Sequence, residues 1–429
     1  MYDGRVKKLA FAVAVTCFGC GDDSSSVGPD ARPGDDAAVA ADCTAAAPVT
    51  VVNPGFDPKD VQLTTTLVAH DATGTMCSTS DGSSEPEGRA TIDVPPGGMV
   101  TLALDGGTDY RGLFTWTEVQ PGDELRFPLL EQRGASKTVE VVVVVPALAD
   151  VSSFDVYVQC EHGGGGLSTP TPAGPFTKQV ECPASATAVA VMVEAEDATS
   201  TRYAVSAVTP IAASGATTLT LGAWMPAASP TVTVHGTAGF DQAIAGFVPG
   251  AEVGYQSVQM ASFANAVTDP LTIGPRHVPA TWRNRTMVAL SKSTEPGETL
   301  QLSRDQATPA SLDVATATDF LPRLSGQLVA PLPRPSITWS MSRDATADAV
   351  SINAGHWVIV ARPQPGTVRF PEVPAALLPT GPASVVAINL IESPTVADFA
   401  ALRTDPIRAY NAPDYTLSSI GDLLSGILP

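Results

Sequence analysis

The stretch with the clearest claim to chemistry is "CEHGGGGLS", residues 160–168. A His-Gly-Gly-Gly run can turn bare backbone N–H groups toward a developing oxyanion. Glycine suits that task because no Cβ then stands between the backbone and the substrate. Acyl transfer of this kind also needs a serine on a G-x-S-x-G elbow between a strand and a helix. No such string occurs, and neither does the strand–helix alternation around it. The run therefore reads as a hairpin tip between Cys160 and Cys182. The chain has five histidines: His70, His162, His235, His277 and His356. None falls in H-E-x-x-H or a related zinc spacing. A Ser-His-Asp set assembles from distant positions, so its members cannot be picked from a chain this rich in serine and aspartate. His356 alternates with Trp357 and is expected on a solvent face. Asp22, Asp23, Asp30, Asp35 and Asp36 offer oxygen ligands, but "DARPGDD" lacks the loop order that wraps calcium. "NRT" at Asn284 is a glycosylation string to which no role is assigned. No catalytic residue, metal or cofactor is expected.

The elements that would position these residues are strands. In "VTLALD", Val100, Leu102 and Leu104 share one face, against Thr101, Ala103 and Asp105. "RATIDV" sets Ala90, Ile92 and Val94 against Arg89, Thr91 and Asp93. In "VQLTTTLVA", Val61, Leu63, Thr65, Leu67 and Ala69 alternate with Gln62, Thr64 and Thr66. Period two predicts half-buried strands with one wet face. "DGSSEPEG", "PPGG" and "DGG" between them supply turn chemistry. Pro121-Gly122 suits the central positions of a type II turn. Val141 to Val145 is apolar without a break, which predicts a strand buried on both faces. Trp339, Trp357, Ile359 and Phe370 are the expected core of the last part of the chain. Two helical signals follow. "SPTVADFAALRT" has Ser393 as N-cap and Pro394 in the first turn. In "YTLSSIGDLLSGIL", Leu417, Ile420, Leu423, Leu424 and Ile427 recur at three and four, a stripe expected to pack on its own domain.

Composition agrees. Among 429 residues there are 36 glycines and 38 prolines, and only 16% are charged. The formal net charge of −20 disfavours nucleic acid and anionic membrane faces as partners. The fold class expected is all-β: tandem antiparallel β-sandwich domains after a disordered N-terminal tether. Pro121-Gly122, Pro296-Gly297 and Pro365-Gly366 each lead into a strand. They mark either a repeated module or ordinary turns, and we read them as ordinary turns.

The N-terminus has the parts of a secretory signal. Arg5, Lys7 and Lys8 precede an apolar run from Leu9 to Val15, too short to span a bilayer. "CFGC" follows, with Gly19 at the cut and Cys20 after it. This resembles the lipobox of bacterial lipoproteins, although Cys17 and Phe18 stand where aliphatic and small residues are usual. The resemblance implies acylation of Cys20, and buried methylenes at ~0.8 kcal/mol each would hold the chain to a membrane. Residues 21–46 are too poor in large apolar side chains to fold, as a tether would be. Four cysteines remain after Cys17 and Cys20. An even number in an oxidising compartment favours disulfides, and Cys43–Cys77 and Cys160–Cys182 would each close a loop within one domain. Metal binding is the rival reading, but no C-x-x-C survives processing.

"VAHDATGTMCSTSDGSSEPEGRATIDVPPGGMVTLAL", residues 68–104, resembles the carboxypeptidase-regulatory or transthyretin-like β-sandwich module. Ser80-Asp81, Gly88, Ala90 and Pro95-Pro96-Gly97 carry the likeness, with a longer gap at "GSSEPE" than that family uses. The resemblance implies a module that stabilises or binds without catalysis.

The organisation expected is a lipoprotein signal (1–20), a linker (21–46), a carboxypeptidase-regulatory-like sandwich (47–134), and sandwiches at 135–229 and 230–325. A last sandwich with a C-terminal helical segment would follow (326–429). The function expected is a non-catalytic envelope lipoprotein, a structural or adhesive scaffold with a membrane partner through its lipid. An envelope glycan or protein is the expected ligand, at the outer membrane or surface of a Gram-negative bacterium. The alternative is a hydrolase of glycans or envelope polymers with accessory sandwiches.

Overall fold

The computed structural model describes residues 42–428 apart from interior segments, the longest being 53–63, 127–135, 275–282 and 405–421. It is all-β, in four units. The first holds β1 (Ala47–Val52), β2 (Thr64–His70), β3 (Met76–Asp81), β4 (Arg89–Val94), β5 (Gly98–Asp105), β6 (Arg111–Val119) and β7 (Glu124–Arg126). The second holds β8 (Ser136–Val145), β9 (Phe154–Cys160), β10 (Gly165–Thr171), β11 (Gly174–Pro183), β12 (Ala188–Glu196), β13 (Thr201–Val205), β14 (Thr209–Pro210), β15 (Thr217–Thr220) and β16 (Met225–Pro226). The third holds β17 (Thr231–His235), β18 (Gln242–Ala251), β19 (Gly254–Tyr255), β20 (Met260–Ala264), β21 (Leu271–Ile273), β22 (Arg283–Lys292), β23 (Glu298–Asp305) and β24 (Ser311–Ala315). The fourth holds β25 (Leu324–Leu328), β26 (Ser336–Met341), β27 (Ala349–Ala354), β28 (Trp357–Ala361), β29 (Gly366–Arg369), β30 (Val386–Glu392), helix α1 (Phe399–Thr404) and β31 (Asp422–Leu428).

One topology recurs. In the first three units the opening strand is central in a three-stranded sheet, antiparallel to one neighbour and parallel to a strand from the unit's end: β4-β1-β7, β11-β8-β15 and β21-β17-β24. The fourth keeps the order as β29-β26-β25, with β25 antiparallel in the closing position. The opposing sheets read β3-β2-β5-β6, β10-β9-β12-β13, β20-β18-β22-β23 and β28-β27-β30-β31. The chain is thus a repeat of one sandwich. The Pro-Gly phrases do not mark it. Pro121-Gly122 precedes β7, Pro296-Gly297 precedes β23 and Pro365-Gly366 opens β29, three different places in the repeat.

Turn chemistry does what the residues dictate. Asp123 N–H bonds to Gln120 O at 3.0 Å with Gly122 at φ +86°, the type II turn expected there. Pro96-Gly97 builds a second one, with Gly98 N–H on Pro95 O at 2.9 Å.

The units do not stay separate. The larger sheets of the third, fourth and first units join edge to edge into one sheet of 13 strands, β23 pairing with β31 and β28 with β6. Leu300 and Leu390 both stand opposite Leu424, so they point to one side, and both enter a single core shared by the third and fourth units. At β28 the arrangement flips. Trp357, Ile359 and Ala361 belong to that shared core. Val358 and Val360 pack instead into the core of the first unit with Val100, Leu102, Phe114 and Trp116. The small sheets of the first and fourth units therefore cover opposite faces of the common sheet.

Four expectations are corrected. Val141 to Val145 is not buried on both faces: Val141, Val143 and Val145 are buried, while Val144 is 50% exposed. The continuous run there satisfies strand propensity on a wet face. Thr101 and Ala103, expected on a wet face, are buried, because the fourth unit covers that side. The stripe at the C-terminus is not helical over Asp422–Leu428, which forms β31. Its short apolar run fits either period, and the edges of β23 and β30 recruit it as a strand. Leu417 and Ile420 lie outside the described residues. The other helical signal does form α1, capped by Asp398, whose carboxylate accepts the Ala401 N–H at 2.8 Å. Ser393 lies outside the described residues. The boundary drawn at 325 falls within β25, which pairs with β26 and so belongs to the fourth unit.

Candidate functional site

A connected set of polar and charged side chains lies at the seam between the first and fourth units. Its centre is a buried ladder across four adjacent strands. Trp357 on β28 donates its indole N–H to Thr115 Oγ1 on β6 at 3.0 Å. Thr115 meets Thr101 Oγ1 on β5 at 2.8 Å, and Thr101 meets His70 Nε2 on β2 at 2.9 Å. Thr115 and Thr101 stand directly opposite each other in register, with His70 diagonal to Thr101. Indole can only donate, so Thr115 accepts at that end of the chain.

His70 is fully buried, and its Nδ1 has no hydrogen-bond partner among the described residues. An imidazolium needs acceptors at both nitrogens. Burial pushes the His70 pKa down to about 3, helped by the Arg334 guanidinium and opposed by Asp71. The ring is neutral at pH 7.

Around it the β2–β3 turn grips the fourth unit. Asp71 Oδ1 accepts from Thr73 N–H (2.8 Å), Thr73 Oγ1 (2.7 Å) and Thr75 N–H (2.9 Å), and Oδ2 from Asp42 N–H (3.1 Å). Burial raises this carboxyl's pKa, but the donors outweigh it and hold the group below the usual range. Arg334 donates to Phe370 O (3.2 Å), Glu372 Oε1 (2.6 Å) and Thr73 O of the first unit (3.2 Å). Glu372 also accepts the Met76 N–H at 3.1 Å, at the start of edge strand β3. Gly74 is required here. Its φ is +78°, and a Cβ would lie 3.1 Å from Pro371 Cα.

A second grip lies at the end of β6. Glu118 is a non-glycine residue at φ +54°, where β5 and β6 slip register. Two arginines of the fourth unit hold it there. Arg362 pairs with its carboxylate, and Arg403 donates to its carbonyl at 3.0 Å. Arg403 is buried, pairs with Asp123 at 2.9 Å and lies over the Phe399 ring, which meets Trp116 edge-on at 6.0 Å. Every arginine of these two grips comes from the fourth unit, and the acidic partners Glu118 and Asp123 come from the first.

A third group lies on the second unit. Tyr157 and Tyr203 donate to the two oxygens of Glu194 at 3.3 and 3.4 Å, with Asp155 opposite Glu194 in register. Burial and Asp155 raise the Glu194 carboxyl, and the tyrosines counter them only in part.

Sequence reasoning picked Trp357 as core and missed its partners. Thr101 and Thr115 look like wet-face residues until a unit 250 residues away is docked. Among the other histidines, His235 is half exposed and meets Asp313 at 2.9 Å, and His356 is exposed as expected. His162, His277, Cys20 and the Asp-rich stretch lie outside the described residues. Cys43 and Cys77 stand at disulfide geometry with Cα atoms 5.7 Å apart, and Cys160 and Cys182 at 5.6 Å. Cys160 points inward with Phe154, Val156 and Val158.

No family model matches the chain, and no curated protein matches it.

Among the described residues, no group of three or more His, Cys, Asp or Glu side chains converges on a metal position, and no helix is long and apolar enough to cross a membrane. The seam's donors and acceptors face one another across two units, which is the chemistry of docking.

Proposed function

We propose that the protein is a non-catalytic lipoprotein of the cell envelope, a scaffold that displays binding surfaces at fixed spacing. The observation that carries this reading is the 13-stranded sheet shared by three units. Sandwiches linked only by chain reorient freely. Sandwiches sharing a sheet and a core keep their distances, as a display scaffold must. The two disulfides support an oxidising compartment, and Cys20, with the polar stretch after it, supplies the anchor. The first unit places Ser80-Asp81 on β3 and Pro95–Gly97 in the β4–β5 turn. Its likeness to the carboxypeptidase-regulatory module favours binding an envelope glycan or protein.

The anchor is tested by Cys20→Ala, expected to move the protein from the membrane fraction to the soluble one. Unchanged partition would remove the anchor from the reading. The scaffold is tested by presenting the full chain to envelope glycans and extracellular proteins. Binding without turnover supports it, and hydrolysis of a bound glycan overturns it in favour of an enzyme.

A further inference from the structure

We propose that the seam between the first and fourth units is an acid-operated latch, with His70 as its sensor, which opens while each unit stays folded. This goes beyond the scaffold reading and does not depend on it.

The argument starts from where His70 sits. It lies on the face of the first unit's larger sheet that carries Thr101, Ala103 and Thr115, on the side away from that unit's own core. What covers this face is the fourth unit. Ala103 and Leu113 enter the fourth unit's core, Trp357 bonds to Thr115, and Pro371 closes on Gly74. His70 is buried by docking, and undocking would return it to water.

Its neighbours decide the direction. Arg334 faces it from the fourth unit and Asp71 from its own turn, and Glu372 faces Arg334. Of the strands beside it, β5 bonds it through the Thr101 hydroxyl, backed by Thr115 on β6, and β3 sets Met76 opposite it, with Thr79 and Asp81 further along the same face. The closed seam gives Nδ1 no acceptor and sets a guanidinium nearby, so it holds the neutral ring. Opening removes Arg334, hydrates the ring and restores the ordinary pKa of about 6.5. Opening is therefore coupled to uptake of one proton between about pH 6.5 and about pH 3, and the open form gains nearly tenfold per pH unit in that window. Asp71 takes its donors from Thr73, Thr75 and Asp42, all of the first unit, so opening leaves them in place and the window belongs to His70.

The test is amide hydrogen exchange of the full chain from pH 7 to pH 4, corrected for intrinsic rates. β6 and β28 should lose protection together, about tenfold per unit below pH 6, while β12 and β22 stay protected. His70→Gln, which cannot charge, should flatten that dependence. Loss of protection in β12 and β22 at the same pH as β6 and β28 would overturn the latch. So would an unchanged slope in His70→Gln. Should that variant fail to fold, the ring of His70 in the wild-type chain is followed by NMR. Titration near 6.5 with the seam amides still protected would equally overturn it.

Discussion

Trp357 donates its indole N–H to Thr115 across 3.0 Å, joining two strands whose residues lie 242 positions apart. Both groups are buried, and the bond spans two separately wound sandwiches. Replacing Trp357 with Phe keeps an aromatic ring but removes the donor. The Thr115 hydroxyl then loses a buried partner, a loss of about 1–2 kcal/mol. Denaturant unfolding should show the loss in the first and fourth units and leave the second unit's transition in place.

Two arginines that lie over the same Phe399 ring should behave differently. Arg403 is buried against Asp123 and the Glu118 carbonyl, so Arg403→Met should cost about 3 kcal/mol, as breaking a buried pair does. Arg362 and Glu118 are both about half exposed, and Arg362→Met should cost under about 1 kcal/mol. Equal losses in urea midpoints would contradict the assignment of Arg403 as the anchor.

Glu118 pays for its position in backbone strain. Glu118→Gly relieves a left-handed φ at about 1 kcal/mol and gives up only the exposed pair with Arg362. The carbonyl that Arg403 uses is retained. Unfolding should therefore show a neutral or stabilising change, where Glu118→Ala, which keeps the strain and loses the pair, should destabilise.

Mild acid should act on the second unit and on the seam with opposite signs. Glu194 has its folded pKa raised, so its contribution is present at low pH and is lost as pH rises through that value. His70 has its folded pKa lowered, so its contribution is present above the unfolded value and is lost as pH falls. Glu194→Gln, a mimic of the protonated group, should raise the second unit's melting temperature at pH 7 and remove the pH dependence that this carboxyl gives it above its ordinary range. Calorimetry resolving two transitions checks both signs.

The Cys43–Cys77 bridge closes a loop with a separation of 34 residues. Cys77→Ser should cost about 3–4 kcal/mol in the chain-entropy account. Reduction of the wild-type protein, which also opens Cys160–Cys182, should cost more than Cys77→Ser alone.

Strands were legible because their period is local. β4 alternates as read, and Pro121-Gly122 turns as its residues require. The repeat was not legible, because it is one of strand order rather than of residues. β31 misled because Leu423, Leu424 and Ile427 fit a helical stripe until flanking edges pair with them. The seam was the least legible. His70, Thr101 and Thr115 look like ordinary half-buried strand residues, and only a partner far along the chain gives them their role. The corresponding signal lay in "HWVIVA". An unbroken apolar strand predicts cover on both faces, and β28 is where two cores meet on opposite sides.

The Cys43–Cys77 bridge also settles how a pull on the N-terminus is shared. Cys43 continues by backbone into β1, in the small sheet, and by sulfur into β3, in the large one. Tension arriving along the leading segment divides between both layers of the first sandwich. No single strand is unzipped from an edge, and the strain spreads across hydrogen bonds in two sheets at once.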